Sequence, residues 1–253
     1  MLDCSNGATC EIAPLVFKKL GAKVVSTSCS KQKEINKKCG STYPQKLSQL
    51  MKKYRADIGF AFDGDLLVYI LAKYLNSNHK LKKNTVVGTH HTNMGLEKSL
   101  AINGIKLLRT DIGDKYVIAK MEEESLNLGG EKSGHIILRD YATTGDGILT
   151  AIKIAELIKL SGKKLSDLCD ADLFPQVNKD CVVRDKIRVI NNEELQRLIV
   201  ENETLLGKDY RFLVRVSGTE PKVRIMVEGE NVLKCEECAE KISCLISKID
   251  KTL

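Results

Sequence analysis

Short apolar runs alternate along the chain with stretches in which hydrophobic residues recur every three or four positions, the signature of α/β units. Lys23 to Ser26, Asp57 to Phe62, Thr85 to Gly88 and Lys106 to Arg109 read as strands. A short strand is expected near Leu126 to Gly129 and another over His135 to Arg139. Ile12 to Leu20, Leu66 to Leu75, Asn93 to Ala101, Asp114 to Glu124 and Ile148 to Leu160 read as helices, with Thr144 a cap for the last. Pro44 opens one more helix, carrying Leu47, Leu50, Met51 and Tyr54. Residues 1–4 resemble the stub of a strand.

The pattern changes after Cys169 to Lys179, which carries Asp, Pro and Asn and reads as a linker. Beyond it the order is strand, helix (Glu193 to Glu203), strand, polar loop, strand, helix (Val232 to Ile249). The fold class is α/β: two consecutive α/β domains, 1–65 and 66–172, then a small α+β domain, 173–253.

The loop of this last part is the most telling segment. Arg215-Val216-Ser217-Gly218-Thr219-Glu220-Pro221-Lys222-Val223-Arg224 lies between the alternating runs Tyr210 to Val214 and Val223 to Val227. Gly218 is expected to allow a sharp turn and a close backbone approach. Ser217 and Thr219 bring hydroxyls, and Arg215 and Arg224 bring planar guanidinium forks. That chemistry suits a phosphate dianion. The bland reading is a polar hairpin with two solvated arginines.

Three other loops follow strand ends, where ligands bind in α/β sheets. Asp63-Gly64-Asp65 could grip a hard cation such as Mg²⁺, or be a plain turn. Gly129 to His135 has three glycines expected to expose backbone, with Glu131, Ser133 and His135 suited to sugar hydroxyls. His135 fits equally a satisfied structural histidine. In Gly113-Asp114-Lys115-Tyr116, Lys115 is a charge clamp, a proton donor or a surface lysine.

Composition adds limits. The chain has 253 residues, 43% hydrophobic, with no Trp, so Leu, Ile and Val must build the cores. A net charge of +7 suits anionic small molecules, but the lysines are scattered and aromatics are few, which argues against nucleic acid. No apolar run approaches the roughly 20 residues of a membrane span. Nine cysteines with no signal peptide before them point to reduced thiols in the cytoplasm. Cys235-x-x-Cys238 lacks a second pair and reads as one face of a helix rather than a zinc site.

In order along the chain, Leu2 to Ala8, Asn36 with Cys39 to Thr42, Ala61 to Asp65, Asn93 to Glu97, Gly113 to Val117, Gly129 to His135, Thr144 to Gly147 and Arg215 to Arg224 are specific motifs. Together they resemble domains two to four of the α-D-phosphohexomutases, and most closely their bacterial phosphoglucosamine branch. The resemblance implies interconversion of hexosamine 6- and 1-phosphates through a phosphoserine and Mg²⁺. It places Glu131, Ser133 and His135 on sugar hydroxyls and Lys115 at a suspected acid–base position. Arg215, Ser217, Gly218, Thr219 and Arg224 would hold the phosphate, and Asp63 and Asp65 the metal.

Two departures bear on activity. Met1 falls where the family's second domain begins, and no serine here has the family's nucleophile context. The metal pattern D-G-D-x-D-R also runs here into Leu66-Leu67-Val68, as if a segment between two D-G-D sequences were deleted. The expected protein is therefore a truncated, non-catalytic hexosamine-phosphate binder with an incomplete metal site. The alternatives are one half of a split mutase completed by a separate N-terminal chain, and a ligand-free structural module. A bared apolar surface would favour self-association. His90-His91, on an extended segment, would point to opposite faces rather than bind metal.

Overall fold

The structure, a computed structural model, describes residues 1–4, 6, 9–30, 34, 39, 43–60 and 64–252. The chain divides into two compact units: Met1–Thr92 with Glu97–Ala171, and Asn93–Leu96 with Asp172–Leu253.

The first unit opens with β1 (Leu2–Asp3), α1 (Thr9–Lys19), β2 (Ser26–Thr27) and α2 (Pro44–Tyr54). β1 and β2 pair in parallel, and Phe60 bridges to Leu2. The strand expected over 57–62 thus reduces to one bridging residue among those described. Next come α3 (Gly64–Ser77), β3 (Thr85–Thr89), α4 (Met94–Ile102, whose first three residues are counted with the second unit), β4 (Lys106–Thr110), α5 (Asp114–Glu123), β5 (Leu128–Gly130), β6 (Ile136–Leu138), α6 (Gly147–Ser161) and α7 (Leu165–Leu168). These form a sheet of order β4-β3-β5-β6, with β4 and β5 parallel to β3 and β6 antiparallel to β5. Central β3 is buried at every residue, as a strand covered on both faces must be. Val87, Val117, Met121, Leu126 and Ile137 pack together beneath α5.

The cap of α6 is Asp146, not Thr144. Its carboxylate accepts the Ile148 and Leu149 amides at 2.9 and 3.0 Å, the geometry an N-cap requires. Thr144 lies two residues too early to reach them.

The second unit holds β7 (Gln176–Val182), α8 (Lys186–Ile190), α9 (Glu193–Leu206), β8 (Tyr210–Val216), β9 (Lys222–Gly229) and α10 (Val232–Lys251). The sheet order is β7-β9-β8, all antiparallel. The expected linker therefore ends early, because its last four residues join β7. Val223, Ile225, Val227 and Phe212 pack with Ile242, Ile246, Cys235 and Cys238 of α10 in one core. The C-x-x-C pair is thus buried on one helix face, as the spacing implied. Among the described residues no helix is long and apolar enough to cross a membrane.

Candidate functional site

In the first unit, parallel pairing decides what meets. β3, β4 and β5 run the same way, so the segments after them emerge along one sheet edge. After β4 comes Gly113, which caps α5 with φ 135°. After β5 comes the turn 131–135 leading into β6. The two are tied directly, since the Gly113 N–H donates to Glu131 Oε1 at 2.8 Å. Lys115, exposed in the first turn of α5, lies over the Tyr116 ring at 4.7 Å.

The 131–135 turn is closed by its own backbone. The Glu131 N–H donates to the His135 carbonyl and the Gly134 N–H to the Glu131 carbonyl, both at 3.0 Å. Gly134, at φ 100°, occupies backbone space that suits glycine. Gly129 and Gly130 serve packing instead of exposure. Both are buried, and an added Cβ would meet Met121 Sδ at 2.6 Å and Val68 Cγ2 at 2.8 Å, respectively. Ser133 and His135 are exposed, with Ser133 Oγ 3.3 Å from His135 Nδ1. His135 is therefore a surface group beside a hydroxyl, not a buried structural histidine. His90 and His91 lie in a turn after β3, not on an extended segment; His90 Nε2 is 3.8 Å from Asp111.

The acidic loop differs from expectation. Asp63 lies outside the described residues. Asp65 belongs to the first turn of α3 and is only 4% exposed. The apolar run after Gly64 carries the helix back through Asp65, and Val68, where the resemblance would have an arginine, is buried. Among the described residues no three His, Cys, Asp or Glu side chains gather as metal ligands. A hard cation takes about six oxygens. One buried carboxylate does not supply that set, so the described residues do not fit Mg²⁺.

In the second unit, register builds the site. Arg215 of β8 stands directly opposite Arg224 of β9, and Arg224 opposite Asp180 of β7. Val223, Ile225 and Phe212 face the helices, so by alternation these three charged residues share the other face. Like charges placed opposite each other repel. Arg224 is partly compensated by Glu220, at 2.7 Å, and by Asp180, at 3.9 Å. The Arg215 guanidinium has no hydrogen bond or ion pair among the described residues. Burial first, then the Arg224 charge, holds its guanidinium below the usual arginine range. An anion between the two would relieve that repulsion.

The loop between them is braced internally. The Ser217 N–H donates to the Lys222 carbonyl at 2.8 Å, and the Glu220 N–H donates to Ser217 Oγ at 3.3 Å. Ser217 is only 2% exposed, so its hydroxyl shapes the loop from inside. Gly218 and Thr219 are exposed. Gly218 lies in the bend over 218–220 without occupying the left-handed region, and an added Cβ there would meet nothing within 4 Å. The tip is open above Gly218.

Comparison with known proteins shows the family. Residues 63–175 match the model of phosphoglucomutase/phosphomannomutase α/β/α domain III, and residues 178–243 that of the C-terminal domain. The chain belongs to the phosphohexomutase family. Phosphoglucosamine mutase of Geobacillus kaustophilus (strain HTA426) is 40% identical over 98% of this chain and 59% of that protein. That of Bacillus velezensis is 43% identical over 95% of this chain and 58% of that protein. The chain thus spans less than two thirds of the length of these phosphohexomutases. Among solved structures, N-acetylphosphoglucosamine mutase of Aspergillus fumigatus, in complex with GlcNAc-6P and magnesium, superposes with a TM-score of 0.80. It is 15% identical over 98% of this chain and 61% of that one, and so attests the fold.

Lys186 escaped sequence reasoning. From the first turn of α8 its ammonium donates to the Ser217 carbonyl at 2.6 Å and the Glu220 carbonyl at 3.4 Å. The only signal was Asp185, whose carboxylate caps α8 through the Ile187 and Arg188 amides, each at 3.0 Å.

Proposed function

We propose that this phosphohexomutase chain binds a hexosamine phosphate, glucosamine 6-phosphate being the natural candidate. The loop of the second unit takes the phosphate through Arg215, Arg224, Thr219 and the Gly218 backbone, with Ser217 shaping it. The turn of the first unit takes sugar hydroxyls through Glu131, Ser133 and His135. The carrying observation is the Arg215–Arg224 pair, facing in register beside an open loop tip. Two guanidiniums repel unless a shared anion lies between them, and phosphate matches their fork geometry.

The same reading assigns binding, and not phosphoryl transfer, to these 253 residues alone. Transfer requires an activated nucleophile and compensation of developing charge. No serine here stands in the family's nucleophile context, and Leu67 and Val68 interrupt the acidic pattern. The Geobacillus match extends over 266 residues, more than the 253 here, which agrees with a segment deleted within the aligned region. The Gly113 turn is anchored to Glu131, which favours a second reading in which a first domain, on this polypeptide or another, restores turnover. Lys115 would then supply acid–base chemistry. The three-domain division at 65/66 and 172/173 and a cytoplasmic setting belong to the same proposal.

Calorimetric titration of the purified chain with glucosamine 6-phosphate, inorganic phosphate and glucosamine tests the binding. Saturable binding of the phosphates is expected. No heat from any of the three removes the proposal and leaves a structural module. A coupled mutase assay, with and without a separately expressed first domain, decides between the two readings of activity.

A further inference from the structure

We propose that Lys186 is a positioning residue that turns the Gly218 amide toward the ligand, an inference that rests on the phosphate-binding reading above. A trans peptide unit is planar, and its C=O and N–H point in opposite directions. The chain has no cis peptide bonds among the described residues. Capture of the Ser217 carbonyl by the Lys186 ammonium, at 2.6 Å, therefore aims the Gly218 N–H the other way. Gly218 is exposed, and an added Cβ there would meet nothing within 4 Å. Neither the Gly218 nor the Thr219 amide donates to a protein acceptor among the described residues.

The rest of the loop is drawn to the same side. Lys186 also takes the Glu220 carbonyl at 3.4 Å, and the Val183 N–H takes the Pro221 carbonyl at 3.0 Å. Three carbonyl oxygens that would repel an anion are thereby turned inward and occupied. An uncaptured carbonyl could swing outward and present negative partial charge where phosphate binds. Lys186 is itself held in place, since Asp185 caps α8 and Val189 of that helix is fully buried. Asp185, Lys186 and the β7 end thus form a bracket behind the loop, while the arginine pair contributes the charge on the sheet.

The test compares wild type with Lys186→Met and Lys186→Arg, using inorganic phosphate as the probe. Lys186→Met should weaken phosphate binding about tenfold, on the scale of one oriented, charge-assisted hydrogen bond. Lys186→Arg, which can still donate to both carbonyls, should recover most of it. The affinity ratio of wild type to Lys186→Met should persist at high salt, where a merely coulombic contribution of the ammonium fades. In the ligand-free protein, hydrogen exchange and the NMR shifts of Gly218 and Thr219 should change while those of α10 stay put. Unchanged affinity, or a ratio that collapses at high salt, would overturn the inference. So would Gly218 signals like those of wild type, or exchange that accelerates equally in α10. Should wild type bind no phosphate, the binding reading falls, and the Gly218 signals still decide whether Lys186 orients that amide.

Discussion

The two loops proposed to bind ligand both sit at the tips of hairpins, yet they are built in opposite ways. The 131–135 turn closes a pair of three-residue strands, β5 and β6, and its functional groups are side chains. Its shape depends on Gly134, on the glycines packed against Met121 and Val68, and on Glu131 reaching across to Gly113. The 217–221 loop closes strands of seven and eight residues, β8 and β9, paired from Tyr210↔Gly229 to Val216↔Val223. Its shape is fixed from behind, through the captured carbonyls of Ser217, Glu220 and Pro221, and its tip residues Gly218 and Thr219 are exposed. Recognition of hydroxyls calls for side chains that can adjust. Recognition of a dianion calls for fixed dipoles and cations that need no rearrangement, and long register-locked strands supply them.

The strongest way to break this contrast is Arg215→Ala. Of the facing pair, it removes the guanidinium that has no carboxylate partner among the described residues. Phosphate affinity should fall about 100-fold, as expected for a lost bidentate charge-assisted contact, with little change in folding. Calorimetry reads the first and thermal melting the second. Equal binding by the variant would show the loop to be idle.

Next comes Glu131→Ala, which frees the Gly113 amide and uncouples the two segments at the sheet edge. A destabilisation of about 1–2 kcal/mol is expected from losing a half-buried bond to a charged acceptor. Urea unfolding measures it, and faster exchange at Gly113 should accompany it. A smaller effect is expected at Asp146, whose amide donates to the Ile136 carbonyl at 3.2 Å and whose carboxylate starts α6. Asp146→Ala should cost about 1 kcal/mol and Thr144→Ala nothing measurable, by the same denaturation curves.

The last test sharpens the contrast without touching a ligand. Burial pushes the Cys235 thiol up from 9.0 to about 11, with Cys238 and Glu228 adding to the shift. The neutral thiol is the native form, so its contribution to stability is complete below pH 9.0. It is lost as pH rises through about 11. Alkylation at pH 8 should therefore mark the exposed Cys29 and spare Cys235 until the second unit unfolds. Peptide mass mapping checks this. Early labelling of Cys235 would mean that the hairpin's core opens as easily as the first unit.

Much of this was legible in the residues. Alternation over 210–214 and 223–227 shows which face each arginine takes, but the register that sets Arg215 opposite Arg224 came only with the strand pairing. The parallel edge of the first unit followed from strand–helix alternation. What stayed hidden was set by distant or very short elements. Lys186 lies 31 residues before Ser217, on a five-residue helix too short to show periodicity. Asp63-Gly64-Asp65 reads as a loop, but the apolar run from Leu66 extends its helix back over Asp65. The glycines of the 129–135 segment looked like exposed backbone because sequence does not show that Met121 and Val68 press on them.

The facing of residues 215 and 224 also constrains how this protein can vary. Side chains alternate, so a slip of one position between β8 and β9 would turn one guanidinium into the packed interior and strand the other. Point substitutions at the exposed tip leave that alignment intact, whereas a single inserted or deleted residue within either strand destroys it. Descendants of this chain should therefore differ there in spelling and hardly ever in length.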